Sequence, residues 1–316
     1  AVAHDAVIGA QGSMTRQQQI TKHISTTMRG IEVAPWHSPI VPKREGFNCV
    51  TLDFFDTATL RQRAKDDPQV DDALIERIED VEIVGSAVDI ERLVEARGEL
   101  GTFDYIISSH NFEHLPNPVK FLQGCSRVLK PDGILSMALP DKRGCFDYFK
   151  PHSTTADFIE ALFENRTKPR PAQVFLSKCL HATYGGDAAK IVFEQNADPG
   201  PVSASKSLEE NFAAWRERRE SGDDAYIDTH CWAFTPCSFC LLALELRRLE
   251  LSSFDLLEAT GTGGAEFFVH LRNSSRAPDS ANFYELRHKL LHGIQNETAE
   301  NSMRVFSLKR QLSFPS

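Results

Sequence analysis

The strongest constraint on the fold is a repeated change between β-type and helical periodicity. The segments FDYIISS (residues 103–109) and GILSMALP (residues 133–140) are apolar, β-prone runs. Between them, NPVKFLQGCSRVLKP carries apolar residues at helical spacing and ends at Pro131. Strands that alternate with helices at this spacing predict an α/β protein with a doubly wound, mostly parallel sheet.

The chain before this unit continues the same alternation. GIEVAP, FNCVTLDFF and VEIVGS are β-prone segments, the first stopped by Pro35 and the second containing Asp53. The charged segment over residues 56–80 and the segment AVDIERLVEARG are helix-prone. A leading helix is expected around residues 15–28.

The alternation fails after Pro140 and resumes near the end of the chain. Residues 144–229 hold helix-like pieces separated by proline and glycine, which predicts an inserted helical lobe, either a substrate lid or irregular connecting structure. HCWAFTPCSFCLLALELRRL then indicates a helix, and SFDLLEATGTGGAEFFVHLRN indicates two strands around a glycine-containing hairpin turn. The predicted organisation is a helical extension (1–28), an α/β core (29–143), a helical lid (144–229), the remaining core with its last helix and terminal hairpin (230–272) and a helical tail (273–316).

Composition narrows the classes of function. The net charge of -9 and the pI of about 5.7 argue against a nucleic-acid partner, because phosphate binding needs a basic surface. The sequence has no run of about 18 apolar residues, so no membrane span is predicted, and its first residues do not resemble a signal peptide. Seven scattered cysteines indicate reduced thiols in a cytoplasmic protein, and CSFC, inside an apolar helix, predicts buried thiols. The composition leaves open whether the protein forms a homo-oligomer.

Five segments together resemble the class I S-adenosylmethionine-dependent methyltransferases, over about residues 29–143 and 228–272. They are GIEVAPWHSP, VTLDFF, IVGSAVDIERL, FDYIISSHNFEHLPNP and RVLKPDGILSMALP. The last two are the most specific, since EHLPNP and RVLKPDG stand at the family's usual separation. The resemblance implies a Rossmann-like, seven-stranded sheet that binds S-adenosylmethionine and releases S-adenosylhomocysteine.

The sequence departs from this family at one turn. The family usually has Gly-x-Gly after its first strand, where a side chain would obstruct the cofactor. Here Ala34 takes about the first glycine's place, and Trp36 or His37 about the second. Cofactor binding is still the expectation, because the acid that ends the second strand, Asp53, is retained. The alternative is a non-catalytic binding module in which Trp36 fills the pocket.

The resemblance implies a cofactor site at the carboxyl ends of the strands, where open α/β sheets bind ligands. Asp53 would accept hydrogen bonds from the ribose hydroxyls, Glu32 would lie near the methionine end, and Phe54 would stack on the adenine. The full predicted set is Glu32, Ala34, Pro35, Asp53, Phe54, Ser86, Ala87, Ser109 and His110.

Polar residues at two further strand ends are candidates for chemistry on an acceptor. His110 begins the loop after FDYIISS, where a neutral imidazole can take a proton from a hydroxyl, contact the cofactor, or act structurally. Asp141 ends the next strand, where it acts on the acceptor or pairs with Lys142 or Arg143, and His230 lies where the lid returns. The predicted catalytic residues are His110, Asp141 and His230. The predicted substrate-binding residues, at the lid's two ends, are Arg143, Asp147, His152 and Asp228. His114 and Glu113 are interpreted as mainly architectural.

The expected activity is O-methylation. SHNFEH with PDKRGCFDYFKPHST resembles a type 11-like bacterial branch associated with surface-polysaccharide biosynthesis, which implies a sugar or glycan-linked hydroxyl as acceptor. The alternative enzyme is an N- or O-methyltransferase of another small molecule. A divalent metal held by Asp141, Asp228 and His230 is conceivable, but no compact ligand motif supports it, so no metal is predicted.

Overall fold

The computed structural model describes residues 8–9, 14–193, 197–261, 263–278 and 281–311, with side chains for residues 14–303 within these ranges. Its strands are β1 (Ile8–Gly9), β2 (Arg29–Val33), β3 (Asn48–Asp53), β4 (Ile83–Val84), β5 (Phe103–Ser109), β6 (Leu129–Pro140), β7 (Ala182–Tyr184), β8 (Val202–Ala204), β9 (Phe254–Thr260) and β10 (Glu266–Asn273). Its α-helices are α1 (Arg16–Ile20), α2 (Thr57–Lys65), α3 (Asp72–Ile75), α4 (Ile90–Glu95), α5 (Pro118–Val128), α6 (Thr155–Phe163), α7 (Pro171–Cys179), α8 (Leu208–Ser221), α9 (Pro236–Arg248) and α10 (Phe283–Gln311).

One mixed sheet forms the centre of the protein. Its strand order is β1-β9-β10-β6-β5-β2-β3-β4, with β2 to β6 mutually parallel and β10 antiparallel to both of its neighbours. The predicted doubly wound, mostly parallel sheet of seven strands is therefore confirmed, and the two-residue β1 adds an eighth strand beside β9.

The helix α5 illustrates how the sequence sets these elements. Asn117 caps it through Oδ1, which accepts a hydrogen bond from the Lys120 backbone N–H at 3.1 Å, and Pro118 occupies the first turn. The apolar stripe predicted from the sequence is buried against the sheet, including Leu122 and Cys125. Burial of such a stripe is the main source of stability for a short helix.

Two local predictions differ from the structure. The leading helix stops at Ile20, because Thr21 bonds back to the Gln17 carbonyl and the following Ser- and Thr-rich residues form turns. In the inserted region, α6, α7 and α8 are accompanied by a small antiparallel ribbon of β7 and β8. Three residues per strand are too few to show a β period in sequence.

The described helices include none long and apolar enough to cross a membrane. Cys237 and Cys240 lie buried on α9 as free thiols, in agreement with the prediction for CSFC. The helix α10 packs along α9, where the Glu297 carboxylate accepts a hydrogen bond from the Cys237 backbone N–H at 3.1 Å.

Glu32 in β2 holds the loop that follows this strand. Its carboxylate accepts hydrogen bonds from the backbone N–H groups of Ile40 at 2.7 Å and Val41 at 3.2 Å. The residue is only 3% exposed, and this burial raises the pKa of Glu32 to about 7 despite both hydrogen bonds.

We expect Glu32→Gln to remove a pH dependence of stability. Because the folded-state pKa lies above the value of 4.5 for an unperturbed Glu, the folded chain binds more protons than the unfolded chain between pH 4.5 and 7. Ionisation of Glu32 therefore lowers the free energy of unfolding as pH rises, by about 2–3 kcal/mol between pH 5 and 8. Urea unfolding at both pH values should show the free energy of unfolding of wild type falling by this amount relative to that of the variant. A difference between the two proteins that does not change with pH would contradict the assignment.

Candidate functional site

The carboxyl ends of the parallel strands meet at one edge of the sheet. Val33, at the end of β2, is in register with Leu52 of β3 on one side and Ser108 of β5 on the other. From β2 the chain passes to β3 and β4 on one side and then to β5 on the other. This is a topological switch point, where open α/β sheets form a ligand crevice.

The loop after β2 adopts the conformation usually reserved for glycine. Ala34 and Trp36 have φ angles of 50° and 51°, in the left-handed region. The Ala34 N–H bonds to the Leu52 carbonyl at 2.8 Å, which fixes the first of these residues against β3. The Trp36 ring packs toward α2, against the cluster that contains Leu60 and Ala64. The loop thus keeps a glycine-like backbone without glycine and directs its largest side chain toward α2.

Several of the predicted cofactor residues lie together beyond β3 and β4. Asp53 is 6% exposed; one of its carboxylate oxygens accepts the Phe55 N–H at 3.1 Å, and burial raises its pKa. The neighbouring Phe54 ring is 65% exposed beside this carboxylate's strand end. Ser86 and Ala87 follow β4, whose register with Asp53 brings them to the same edge.

Glu32, in contrast, is not free to meet a ligand. Both of its oxygens are occupied by the Ile40 and Val41 N–H groups, so the structure gives it a loop-holding role. Sequence position alone suggested the cofactor contact, because it shows where the acid stands but not which backbone groups fold over it.

His110 lies in a clamp of charged groups. Its Nε2 is 2.8 Å from Glu266 Oε2 and its Nδ1 is 3.4 Å from Glu113 Oε1. Burial opposes the charged imidazolium, but the two carboxylates outweigh it and raise the pKa of His110 to about 9. Arg16 completes the clamp by binding both Glu266 and the Ser109 hydroxyl, at 2.7 and 2.8 Å. Of the roles expected for His110, the two carboxylates favour a structural one over a neutral base that accepts a proton.

Two further predicted residues pair with each other. The Asp141 carboxylate is fully buried and receives a two-pronged contact from the Arg143 guanidinium, with a shortest distance of 2.6 Å. In this structure Asp141, predicted as catalytic, and Arg143, predicted to bind substrate, are therefore paired with each other. His152 lies beside the Thr235 hydroxyl at 3.3 Å, and burial lowers its pKa to about 4.

The remaining candidates come together where the inserted region leaves and rejoins the core. His230 Nδ1 is 2.5 Å from Asp147, and His114 Nδ1 is 2.9 Å from Asp228. The two rings are in edge contact, with centroids 4.5 Å apart, and the fully buried carboxylate of Glu113 lies beside them. The predicted convergence of the two ends of the insertion is thus present in the structure, and Glu113 and His114, interpreted as architectural, belong to it.

Backbone bonds hold this junction. The Glu113 carbonyl accepts the N–H groups of Cys231 at 2.7 Å and Trp232 at 3.2 Å. The Trp232 indole N–H donates to the Leu115 carbonyl at 2.6 Å. These contacts join the loop after β5 to the segment that leads into α9.

A cavity of about 440 Å³ opens beside the junction, between the core and the inserted helices. Its lining is mostly polar, with Phe146 as its one carbocyclic aromatic ring, stacked on His181. The lining residues are His114, Phe146, Ser177, Lys178, His181, Ser205, Ser207, Asn211, Asp228, Thr229 and His230. No sequence pattern marked the contribution of α7 and α8, because it comes from single polar residues on two helices.

Residues 41–137 match the family model described as a methyltransferase domain. The match begins in the loop after β2 and ends within β6, so it includes the ends of β3, β4 and β5 at the crevice. The chain therefore carries a methyltransferase domain and is an enzyme of that class. A search of curated proteins finds no match.

Distant likenesses to solved structures extend over most of the chain. A protein of Pyrococcus horikoshii is 15% identical with a TM-score of 0.39, over 86% of this chain and 97% of its own. A protein of Methanosarcina mazei, described as an S-adenosylmethionine-dependent methyltransferase, is 12% identical with a TM-score of 0.40, over 81% and 97%. One of Mesorhizobium loti, described in the same way, is 9% identical with a TM-score of 0.40, over 80% and 95%. The fold itself rests on the strand order of this chain.

We expect Ala34→Gly to stabilise the protein by about 1 kcal/mol. A left-handed backbone costs an L-residue roughly 1–2 kcal/mol, which exceeds the added chain entropy that glycine loses on folding. Ala213→Gly in the exposed middle of α8 is the matched control and should lose about 1 kcal/mol. Equal losses in both variants, measured by urea unfolding, would show that position 34 carries no strain.

Proposed function

We propose that the protein transfers a methyl group from S-adenosylmethionine to a hydroxyl of a small polar acceptor, a sugar or a glycan-linked sugar. The observation that carries this proposal is the polar cavity beside the loop of residues 110–114. The first residue of this loop, His110, lies at the strand edge where the cofactor is expected. The last, His114, lines the cavity. One loop therefore separates a nucleoside crevice from an acceptor site.

The strand edge fits the cofactor in its donor groups and its shape. Asp53 would hold the ribose hydroxyls, the exposed Phe54 ring would cover the adenine, and Ser86 and Ala87 would border its edge. Ala34 and Pro35 would approach the methionine part through their backbone. When bound, the cofactor supplies a methyl group activated by its positive sulfur. With the Trp36 ring packed toward α2, an enzyme is favoured over a non-catalytic module.

The cavity supports a hydroxylated acceptor. Its serine, threonine and asparagine side chains donate and accept hydrogen bonds, as a polyhydroxyl compound requires. The Phe146 ring, which packs against His181 and His230, adds apolar surface to the lining. The resemblance to the branch associated with surface polysaccharides points to the same acceptor class.

We assign hydroxyl activation to the cluster of Glu113, His114 and His230. In the reaction the bond from the methyl carbon to sulfur breaks as the bond to the acceptor oxygen forms, and the hydroxyl proton must leave. His114 and His230 line the cavity, and the carboxylate of Glu113 beside them is fully buried. Water exclusion by the inserted helices would favour the transfer. The seven free thiols support a reducing compartment, for which we propose the cytoplasm.

We expect Asp53→Ala to weaken binding of S-adenosylhomocysteine by about 1–3 kcal/mol, since charge-assisted hydrogen bonds to the ribose are lost. Isothermal titration calorimetry measures this directly. Asp66→Ala, at an exposed position after α2, is the control and should bind as wild type does. Equal affinities of the Asp53 variant and wild type would refute the ribose assignment. If wild type shows no heat of binding, the proposed activity is contradicted.

We expect Asn211→Ala to raise the acceptor KM about 3–10-fold and to leave S-adenosylhomocysteine affinity unchanged, because one hydrogen bond in the cavity is removed. The acceptor comes from a screen of sugars and glycans in which mass spectrometry detects products heavier by one methyl group. Arg216→Ala, on the same helix but outside the cavity lining, is the control. A normal KM in the Asn211 variant would place the acceptor elsewhere.

A further inference from the structure

We propose that Glu113, His114 and His230 bind a divalent transition-metal ion of the zinc type at the wall of the cavity. The inference deepens the proposed function and rests on it for the role of the ion, which would hold the acceptor hydroxyl. One ligand atom from each of the three residues lies within 4.8 Å of the other two. A loop and the returning segment of the insertion together supply the site.

The carboxylate of Glu113 is the first argument. It is fully buried, and neither oxygen has a hydrogen-bond partner among the described residues. The nearest nitrogens are His110 Nδ1 at 3.4 Å and His230 Nε2 at 3.9 Å. Because His110 is shared with Glu266, a cation held by Glu113, His114 and His230 would give the buried carboxylate oxygens the partners that they lack.

The second argument is the orientation of the two imidazoles. Asp228 binds His114 at Nδ1, and Asp147 binds His230 at Nδ1, so Nε2 is the nitrogen left on each ring. A carboxylate on the far nitrogen of a ligating histidine is the usual arrangement in metal sites, because it fixes the ring and its tautomer. Two independent histidines share it here.

The charge around the cluster also suits a cation. Glu113, Asp147 and Asp228 contribute three carboxylates, and Lys150, bound to Asp147 at 2.6 Å, is the cation that faces them directly. Lys178 lies farther along the cavity lining. His110, paired with Glu266, borders Glu113 on its other side.

The donor set selects the kind of ion. Two imidazole nitrogens and one carboxylate favour zinc and related ions, whereas magnesium and calcium prefer oxygen ligands throughout. Three protein ligands leave a coordination position open, as in catalytic rather than structural zinc sites. Because His114 and His230 line the cavity, an acceptor hydroxyl bound there would be near the ion, which would lower the pKa of that hydroxyl.

A second group of three potential ligands, His23, Glu258 and His270, differs in one respect. The Lys22 ammonium lies 2.7 Å from the Glu258 carboxylate and already supplies its positive charge. This group therefore serves as the matched control for nonspecific binding.

The test is calorimetric titration of the full chain, first treated with a chelator, with Zn²⁺, Mn²⁺ and Mg²⁺ separately and without methyl donor or acceptor. We expect one equivalent of Zn²⁺ to bind, with Mg²⁺ much weaker. His230→Ala and Glu113→Gln should weaken Zn²⁺ binding more than about 100-fold, and Asp147→Asn by about 10–100-fold. His23→Ala and His152→Ala should bind as wild type does.

Two results would overturn the proposal: no Zn²⁺ binding tighter than millimolar, or binding that His23→Ala abolishes and His230→Ala keeps. Circular dichroism checks folding of each variant. If Glu113→Gln does not fold, His114→Ala, whose side chain is partly exposed, decides the outcome. Metal binding without methyl transfer would refute the activity alone, and methyl transfer that survives metal removal, with no Zn²⁺ binding, would refute the site alone.

Discussion

The candidate site depends on a backbone junction between two segments that are far apart in the chain. The Glu113 carbonyl accepts hydrogen bonds from Cys231 and Trp232, and the Trp232 indole bonds to the carbonyl of Leu115. Without these bonds the loop after β5 and the segment before α9 would be separate surface loops. With them, two histidines that line one cavity lie beside a buried carboxylate, and the sheet beneath supplies a rigid support.

The fold could be predicted because its signals are local. Each strand and helix of the core shows its own periodicity, and parallel strands that alternate with helices allow few arrangements. The position of Asp53 followed from the same logic, since an acid that ends a strand beside the switch point must lie at the crevice. The ribbon of β7 and β8 was not predicted, because its strands are too short to show an alternating pattern in the sequence.

The chemistry of the site was harder to predict, since it is decided by partners that sequence does not reveal. A neutral base was one role expected for His110. In the structure Glu266, from a distant strand, binds both the His110 ring and the Arg16 guanidinium. Asp141 was expected to face a substrate, yet its carboxylate pairs with the guanidinium of Arg143, two residues later in the chain. Glu113 was interpreted as architectural, because its complete burial beside two histidines is a property of the folded chain alone.

The insertion between β6 and α9 begins and ends at the same place. Asp147 near its start bonds to His230 at its end, and the Lys150 ammonium bonds to the His230 carbonyl at 3.0 Å. Since the closing of a loop becomes only slowly more costly as the loop lengthens, the segment between these anchors can change in length and sequence without strain in the sheet. The insertion can therefore vary while the sheet and the crevice at its strand ends stay unchanged.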